Sequence, residues 1–296
     1  YMAGKRYFDY PMLFLVIFLI CFGLVMIYST SSYKSTVTYG NSYHWLLRQA
    51  VAIVLGAVAM VVCCKLDYRI IKSEKVGNGC YWASIVLLVL VLIIGAAKKG
   101  AVRWISIAGF QFQPSEVSKI LVVIYLANRL SANAHKIRTF KDSIVIVLPT
   151  VPIIALIVTQ NLSTALVVCS MIGVMLFVVS PKMKELMLTA GGGIILLFVY
   201  LLTANSYRNE RVQIWLHPES HKKGFQTMQA LYAIGSGGIF GKGLGQSMQK
   251  MGFIPESHND MIFSIICEEL GLFGAVCLIL VFVALIFRML LIALNT

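Results

Sequence analysis

The sequence GFIPESHNDMIFSIICEELG, residues 252–271, decides how the rest of the chain is interpreted. It begins as a polar segment with a Pro and a His-Asn-Asp run, and it continues directly into an apolar helix that carries Glu268 and Glu269. Acidic groups at the rim or in the interior of a membrane cost free energy and usually have a function. Asp260 lies at this boundary between water and lipid, which makes it the candidate for the chemistry.

The composition distinguishes a membrane protein from a soluble one. Hydrophobic residues make up 59% of the 296 residues and charged residues only 12%, whereas soluble domains average roughly 45–50% and about 25%. Several apolar runs reach the roughly 20 residues that a helix needs to cross a bilayer. Only helices and closed barrels satisfy their backbone groups in lipid, and the period-two alternation of a barrel is absent. The sequence therefore predicts an all-α polytopic membrane protein.

The apolar runs predict about eight transmembrane helices within a single transmembrane domain, residues 1–296. The predicted spans are residues 11–29, 46–64, 80–97, 117–130, 143–159, 164–180, 186–204 and 262–287. A large extracytoplasmic loop, residues 205–261, is expected between helices seven and eight. Lys5 and Arg6 precede the first span, and the other short loops on that side are also rich in Lys and Arg, so we expect a cytoplasmic N-terminus.

The net charge of +13 could indicate nucleic-acid binding, and the seven cysteines could indicate a metal site. The positions of these residues in the sequence disfavour both functions. The basic residues lie in the loops between spans, where they set topology and contact anionic lipid or a phosphate-bearing substrate, and we expect no nucleic-acid partner. The cysteines lie in or at apolar spans without a CxxC pair, so they are interpreted as small buried hydrophobic residues and not as metal ligands.

The first candidate cluster lies in the outer segment, residues 98–119. Pro114 suits the first turn of a helix, and Glu116 and Lys119 share a face of that helix because they are three residues apart. The pair is either a structural ion pair or one side of a polar cavity for a charged headgroup. The sequence leaves both interpretations open.

The second candidate cluster ends in a glycine-rich segment, residues 235–245, with the sequence GSGGIFGKGLG. Its earlier members are Arg208, Arg211, Trp215, Gly224, Phe225, Gln226 and Gln229. A glycine-rich backbone can approach a phosphate closely, and Lys242 would add positive charge. The segment lacks the GxxxxGK[ST] pattern of nucleotide-binding loops, because Gly243 follows the lysine. A flexible hinge or a re-entrant turn is the favoured interpretation of the segment taken alone.

The third candidate cluster is the opening stretch itself. His258 and Asp260 precede the last span, and on a continuous helix Asp260, Ser264 and Glu268 would align at i, i+4 and i+8. Alternatively Asp260 is the N-cap of that helix, a position where Asp is stabilising. Both interpretations can hold together. No Ser-His-Asp, metal-binding or dinucleotide motif is visible, which disfavours hydrolases and redox enzymes.

The motifs in these clusters resemble those of the SEDS (shape, elongation, division and sporulation) family of polytopic FtsW/RodA/SpoVE proteins. The opening stretch is similar to the family signature, RWISIAGFQFQPSEVSK to its second hallmark, and TQNLSTA to its short outer turn. The segments YRNERVQIWLHPE, GFQTMQAL and GLGQSMQK look more like the division and sporulation branch (FtsW/SpoVE) than the elongation branch.

The chain departs from the family pattern at two points. Gln160 precedes Asn161 in the short outer turn, where the family usually has Pro. The family has ten spans, whereas this chain reaches Thr296 after eight predicted spans. We therefore expect either a fragment or a chain that has lost the last two helices, and in the second case activity is in doubt.

The resemblance implies a peptidoglycan glycosyltransferase that polymerises lipid II at the outer face of the bacterial cytoplasmic membrane. Asp260 is expected to be the general base that deprotonates the acceptor 4-hydroxyl. The residues expected to bind substrate are Arg48, Arg103, Glu116, Lys119, Lys242 and His258. A divalent cation, Mg²⁺ or Mn²⁺, is a candidate cofactor. A class B penicillin-binding protein and other divisome membrane proteins are the expected partners.

Two other functions fit the same residues. A flippase that moves lipid II across the membrane would also need charged groups in a cavity at membrane depth, but it would need no base. A non-catalytic scaffold of the division machinery would need neither. The sequence also leaves open whether the role lies in division or in sporulation.

Overall fold

The computed structural model describes residues 9–98, 101–107, 110–137, 140–179, 191–192, 213–220 and 224–295. Within these ranges the chain is mainly helical, which confirms the predicted all-α polytopic class. The α-helices are α1 (Tyr10–Tyr39), α2 (His44–Lys65), α3 (Tyr68–Ile71), α4 (Glu74–Ile94), α5 (Pro114–Ala132), α6 (Phe140–Val147), α7 (Val151–Gln160), α8 (Leu162–Val179), α9 (Phe225–Ser236) and α10 (Ile262–Asn295). Short 3₁₀ turns cover Ala134–Lys136, Leu148–Thr150 and Pro218–Ser220.

Six stretches of the described chain are long and apolar enough to cross a membrane. They are Tyr10–Tyr39, His44–Lys65, Glu74–Ile94, Lys141–Gln160, Leu162–Val179 and Ile262–Asn295. Helix α5 occupies the place of the predicted fourth span, but it carries three charged residues, Glu116, Lys119 and Arg129. The predicted seventh span, residues 186–204, lies outside the described residues except for 191–192. The total of eight spans stays a prediction.

Helix α1 extends ten residues beyond its predicted end at residue 29. The run STSSYKSTVTY was expected to begin an outer loop, but it continues the helix to Tyr39. Several of its hydroxyl groups bond to the preceding turn of the same helix: Thr30 donates to the carbonyl of Met26 at 2.8 Å, and Thr36 to that of Ser32 at 2.9 Å. Because Ser and Thr side chains can be satisfied within a helix in this way, a hydropathy boundary at residue 29 was wrong.

The described residues fall into two compact units. The first unit comprises the described residues within Tyr1–Val62 and Ala204–Thr296. In it α1 packs against α10 through a small core of Met26, Ile266 and Leu278. Asp9 caps the start of α1 by accepting from the backbone N–H of Met12, and its other oxygen accepts from Arg288 of α10.

The second unit comprises the described residues within Cys63–Thr203. Helices α4, α5, α7 and α8 form its core, which is lined by Leu88, Val122, Leu126, Ile153, Ile157 and Val168. A small antiparallel sheet precedes α5, with strands β1 (Ala96–Lys98), β2 (Ala101–Ile107) and β3 (Phe110–Phe112) in the order β1-β2-β3. The sequence analysis did not predict this sheet, because two of its strands have only three residues. Pro114 is the first residue of α5, as its position predicted.

Candidate active site

Helix α10 is interrupted at Gly271, and the glycine-rich segment fills the gap. Gly271 has φ 69° and ψ −170°, which no helix contains. In an uninterrupted helix the N–H groups of residues 272 and 273 would bond to the carbonyls of residues 268 and 269. Here those N–H groups donate to the carbonyls of Gly238 and Ile239, at 2.9 and 3.0 Å. The carbonyls of residues 268 and 269 accept instead from the N–H groups of residues 242 and 243, both at 2.9 Å.

Glycine is required on both sides of this junction. Gly241 has φ 80° and Gly271 φ 69°, in the left-handed region that disfavours side chains. A Cβ atom at Gly271 would collide with the backbone of Ile239 and Gly241, and one at Gly241 with the carbonyl of Glu269. The glycine-rich segment is therefore a fixed turn bonded to the helix. The N–H groups of Lys242 and Gly243 bond to α10, so they are not available as phosphate donors.

Two buried carboxylates follow one another on α10, and each is paired with a lysine. Glu268 is fully buried, and its Oε1 accepts from Lys242 Nζ at 2.7 Å. The same carboxylate accepts from the hydroxyl of Ser247 and from the backbone N–H of Met248. Lys242 is 36% exposed, so this pair reaches the surface on the lysine side.

The second carboxylate, Glu269, is also fully buried, and its partner is buried with it. Lys250 is 6% exposed, and its Nζ lies 2.8 Å from Glu269 Oε1. The hydroxyl of Ser29 on α1 lies 2.7 and 2.8 Å from the two carboxylate oxygens and accepts from Lys250 Nζ at 3.1 Å. We refer to Ser29, Lys250 and Glu269 as the buried joint. A buried charge pair persists only with such additional hydrogen bonds, because desolvation opposes it.

Asp260 lies in a turn two residues before α10 and is exposed to solvent. Because α10 begins at Ile262, the predicted alignment of Asp260 with Ser264 and Glu268 on one helix is not formed. Ser264 donates its hydroxyl to the carbonyl of Met261 at 2.7 Å. Among the described residues, no hydrogen bond or ion pair engages the Asp260 carboxylate, and no first-turn N–H caps onto it.

The segment that carries Asp260, residues 252–261, is held at several points, and we call it the Asp260 loop. Ser257 is buried and donates to the carbonyl of Thr30 on α1 at 3.2 Å. Ile254 is 3% exposed and packs with Ala233 of α9 and Ile265 of α10. Glu256 has φ 53°, a backbone region that is uncommon for a residue other than glycine. The turn is therefore held in a defined conformation.

Two of the predicted substrate-binding residues meet at Trp45. The His258 ring lies 4.7 Å from the Trp45 ring, and the Arg48 guanidinium lies 5.7 Å from the same ring on its own helix α2. Burial lowers the pKa of His258 below its usual value, and the charge of Lys34 adds to this effect, while Glu256 opposes it. His258 is therefore predominantly neutral at pH 7. Its Nδ1 atom is buried without a hydrogen-bond partner among the described residues.

The remaining predicted site residues belong to the second unit or to the glycine-rich segment. Lys119 Nζ lies 2.8 Å from Glu116 Oε2, with side-chain exposures of 23% and 53%, so this is a partly exposed ion pair within one helix. Arg103 lies in strand β2, and its side chain lies outside the described part of the chain. Lys242 is paired with Glu268, as described above.

An open cavity of about 580 Å³ lies beside the buried joint. Ser29 and Lys250 contribute to its wall, and the rest is formed mainly by residues of α1, by the end of the glycine-rich segment and by Met251. These residues are Val25, Tyr28, Ser32, Tyr33, Thr36, Val37, Leu244, Gly245 and Met251.

The described residues do not build a metal site by themselves. No group of three or more His, Cys, Asp or Glu side chains converges anywhere in the part of the chain that the structure describes. A divalent cation would therefore have to take most of its ligands from a bound substrate and from water, as Mg²⁺ commonly does at phosphate sites.

The fold and the site define a multi-pass helical membrane protein in which the Asp260 loop leads into a helix that is interrupted at Gly271. The chain belongs to the FtsW/RodA/SpoVE family: the family model described as "Cell cycle protein" matches residues 10–296. A probable peptidoglycan glycosyltransferase FtsW from Geobacter metallireducens is 36% identical over 296 residues, covering 96% of this chain and 76% of the relative. Stage V sporulation protein E from Bacillus subtilis is 34% identical, covering 97% and 79%.

Solved structures give the same result. A chain in a peptidoglycan synthase complex, described under "Structural coordination of polymerization and crosslinking", has a TM-score of 0.76 and 28% identity, covering 100% of this chain and 80% of that one. The rod shape determining protein RodA of Thermus thermophilus has a TM-score of 0.67 and 26% identity, covering 98% and 77%.

The buried joint was not predicted from the sequence. Glu268 and Glu269 were recognised as charges at membrane depth, but their partners were not. Lys250 lies 19 residues before Glu269, and Ser29 is separated from it by 240 residues. The available signal was that two lysines, Lys242 and Lys250, lie in or near the glycine-rich segment shortly before two acids, Glu268 and Glu269. Equal numbers of opposite charges at membrane depth indicate ion pairs.

Proposed function

We propose that this protein is a peptidoglycan glycosyltransferase that polymerises lipid II into β1,4-linked glycan strands at the outer membrane face, in division or sporulation. Asp260 is the general base. One observation carries this assignment: Glu268 and Glu269 are buried and paired with lysines, whereas Asp260, in the turn before the same helix, is exposed. The names of the relatives, probable peptidoglycan glycosyltransferase FtsW and stage V sporulation protein E, support the reaction and the cellular role.

The chemistry requires one base and a source of positive charge. The donor sugar leaves from an undecaprenyl pyrophosphate, which is a good leaving group without protonation. The acceptor 4-hydroxyl must lose its proton as it attacks, and a positioned carboxylate accelerates such a step by about 10²–10⁴-fold. In-line attack inverts the anomeric centre, so the α-linked donor becomes a β1,4-linked product. The proton passes from the 4-hydroxyl to an Asp260 carboxylate oxygen, and the electron pair of the glycosidic bond leaves with the pyrophosphate.

The candidates for stabilising the pyrophosphate are basic side chains near the outer face. Arg48 is exposed and lies beside Trp45, which contacts His258 of the Asp260 loop. Lys242 would have to share its charge with Glu268. Lys119 and Arg103 stay in the proposal as substrate-binding residues, with Glu116 shaping the headgroup cavity. Titration of the activity with Mg²⁺ and Mn²⁺ against a chelator tests the proposed divalent cation.

The proposed partner is a class B penicillin-binding protein, which cross-links the strand that this protein polymerises. The similarity to a chain of a peptidoglycan synthase complex supports this pairing. Co-purification in detergent and in lipid discs tests it: a stable complex is expected, and its absence in both media would contradict the partner assignment.

The direct test is polymerisation of fluorescent lipid II by the purified full-length protein with its partner. We expect polymer from the wild type and a loss of at least about 10²-fold in rate for Asp260→Asn. Asp67→Asn is the matched control, because Asp67 only caps the short helix α3 and Asn caps equally well. If Asp260→Asn polymerises at the wild-type rate, the base is elsewhere. If neither protein polymerises but lipid II crosses vesicle bilayers, the protein is a transporter.

A further inference from the structure

We propose that the buried joint of Ser29, Lys250 and Glu269 positions the Asp260 carboxylate for the reaction, so that these three residues are positioning residues. This inference rests on the function proposed above. None of the three touches the reacting atoms in this account. They act on Asp260 through the loop that carries it.

The buried joint links the two ends of the segment that carries Asp260. Lys250 and Glu269 are 19 residues apart and bonded at 2.8 Å. Asp260 lies between them in sequence, ten residues after Lys250 and nine before Glu269. The ion pair therefore fixes both ends of the segment whose middle carries the proposed base.

Helix α1 provides a fixed support for this segment. Two adjacent residues of α1 hold the segment: Ser29 bonds the Glu269 carboxylate at 2.7 Å, and the Thr30 carbonyl accepts from Ser257 at 3.2 Å. Ser257 is only three residues from Asp260. One turn of α1 thus holds the Glu269 end of the segment and also Ser257, which is close to Asp260 in sequence. Both contacts are buried.

The ionic character of the joint matches a need for precise geometry. Buried ion pairs can often be replaced by apolar residues without loss of stability, so stability alone does not require one here. Hydrogen bonds between Lys250, Glu269 and Ser29 fix distances and directions, whereas apolar packing tolerates small shifts. A displacement of about 1 Å at a reacting group can lower a rate by about 10²-fold. The joint therefore matches a requirement for geometry.

The experiment compares two serines on the same helix. In Ser29→Ala the hydroxyl that bonds Glu269 is removed, whereas in the control Ser35→Ala the hydroxyl removed is buried but has no hydrogen-bond partner among the described residues. Steady-state polymerisation of fluorescent lipid II gives kcat and KM for each. We expect Ser29→Ala to lose about tenfold in kcat, up to 10²-fold, with KM for lipid II unchanged. Ser35→Ala should stay within about twofold of the wild type in both.

A second variant separates geometry from stability. Lys250→Met/Glu269→Leu removes both charges together and is expected to fold, because no unpaired buried charge remains. We expect its kcat to fall at least as far as that of Ser29→Ala. Amide hydrogen exchange of residues 252–261 should become about tenfold faster, while α4 and α5 exchange as in the wild type.

Coupling to Asp260 completes the test. In an Asp260→Glu background the carboxylate is already displaced. Ser29→Ala should therefore lower kcat by a clearly smaller factor than it does in the wild type, and a double-mutant cycle measures this difference.

The outcomes are distinct. The inference is overturned if the wild type polymerises and Asp260→Asn does not, yet Ser29→Ala and the double variant keep the wild-type kcat. It is also overturned if Ser29→Ala and Asp260→Glu lower the rate independently. A wild type that does not polymerise would overturn the proposed function and the positioning role with it.

Discussion

Two Glu–Lys ion pairs of this protein have the same chemical groups but different surroundings. Glu116 and Lys119 lie on successive turns of α5, with side chains 53% and 23% exposed. Lys250 and Glu269 lie 19 residues apart and are 6% and 0% exposed. Both pairs have nearly the same N–O distance, 2.8 Å. The first pair is partly exposed, whereas the second pair is buried and bonded to a second helix through Ser29.

The comparison teaches that charge at membrane depth alone does not identify the important pair. An ion pair in water contributes little, because hydration of the separated charges competes with it. A buried pair contributes little in net terms either, but breaking it leaves one charge without a partner in a medium of low polarity. Replacing one partner should therefore lower the free energy of unfolding far more in the buried pair than in the exposed pair. Replacing both partners should have a similar, small effect in the two pairs.

The largest effect is expected from removing one partner of the buried joint. Lys250→Met leaves Glu269 buried and without its cation, and we expect a loss of about 3–5 kcal/mol in the free energy of unfolding. Thermal unfolding in detergent, followed by circular dichroism, measures this loss. Lys250→Met/Glu269→Leu is the control and should recover most of it. A single variant as stable as the double variant would contradict a charged pair at this position.

The next effect concerns the junction between α10 and the glycine-rich segment. Gly271→Ala places a side chain at φ 69° and against the backbone of Gly241. The left-handed conformation alone costs roughly 1–2 kcal/mol, and the collision adds to it. Gly23→Ala on α1 is the matched control, since nothing lies within 4 Å of a Cβ atom there. Equal melting temperatures for the two variants would contradict the described junction.

A smaller effect is expected from His258 as the pH falls. Burial lowers the pKa of His258 in the folded protein, so the unfolded state binds this proton more readily. The contribution of the neutral ring is therefore complete above the unfolded pKa of about 6.5 and declines as the pH falls below it. We expect the melting temperature to drop less between pH 7.5 and pH 5.5 in His258→Gln than in the wild type. An equal drop in both proteins would contradict a buried neutral His258.

The smallest effect on stability is expected from the exposed pair. Glu116→Gln should change the free energy of unfolding by less than about 0.5 kcal/mol. If Glu116 and Lys119 also shape the headgroup cavity, the same variant raises KM for lipid II while the melting temperature stays unchanged. Unaltered kinetics together with unaltered stability would leave the pair as a surface ion pair and remove it from the proposed site.

The sequence predicted what depends on local chemistry. Pro114 indicated the start of α5, and the spacing of Glu116 and Lys119 predicted an ion pair as one interpretation. The extension of α1 was not predicted, because hydropathy treats serine and threonine as loop residues although their hydroxyls can bond within a helix.

The buried joint could not be derived from spacing either. Its members belong to α1, to a turn-rich segment and to α10, so their meeting depends on the packing of α1 against α10. Similarly, no pattern in the sequence shows that the glycine-rich segment replaces hydrogen bonds in a broken helix. Such contacts between distant residues are fixed by tertiary structure, and the break at Gly271 becomes visible only there.

The central claim is that an exposed Asp260, held by its buried neighbours, takes the proton in glycan polymerisation. The most direct measurement is the rate of fluorescent lipid II polymerisation by the wild type and by Asp260→Asn, with equal melting temperatures for the two proteins. We expect polymer from the wild type and a rate lower by at least about 10²-fold for the variant. A variant that polymerises at the wild-type rate would contradict the assignment of Asp260 as the base.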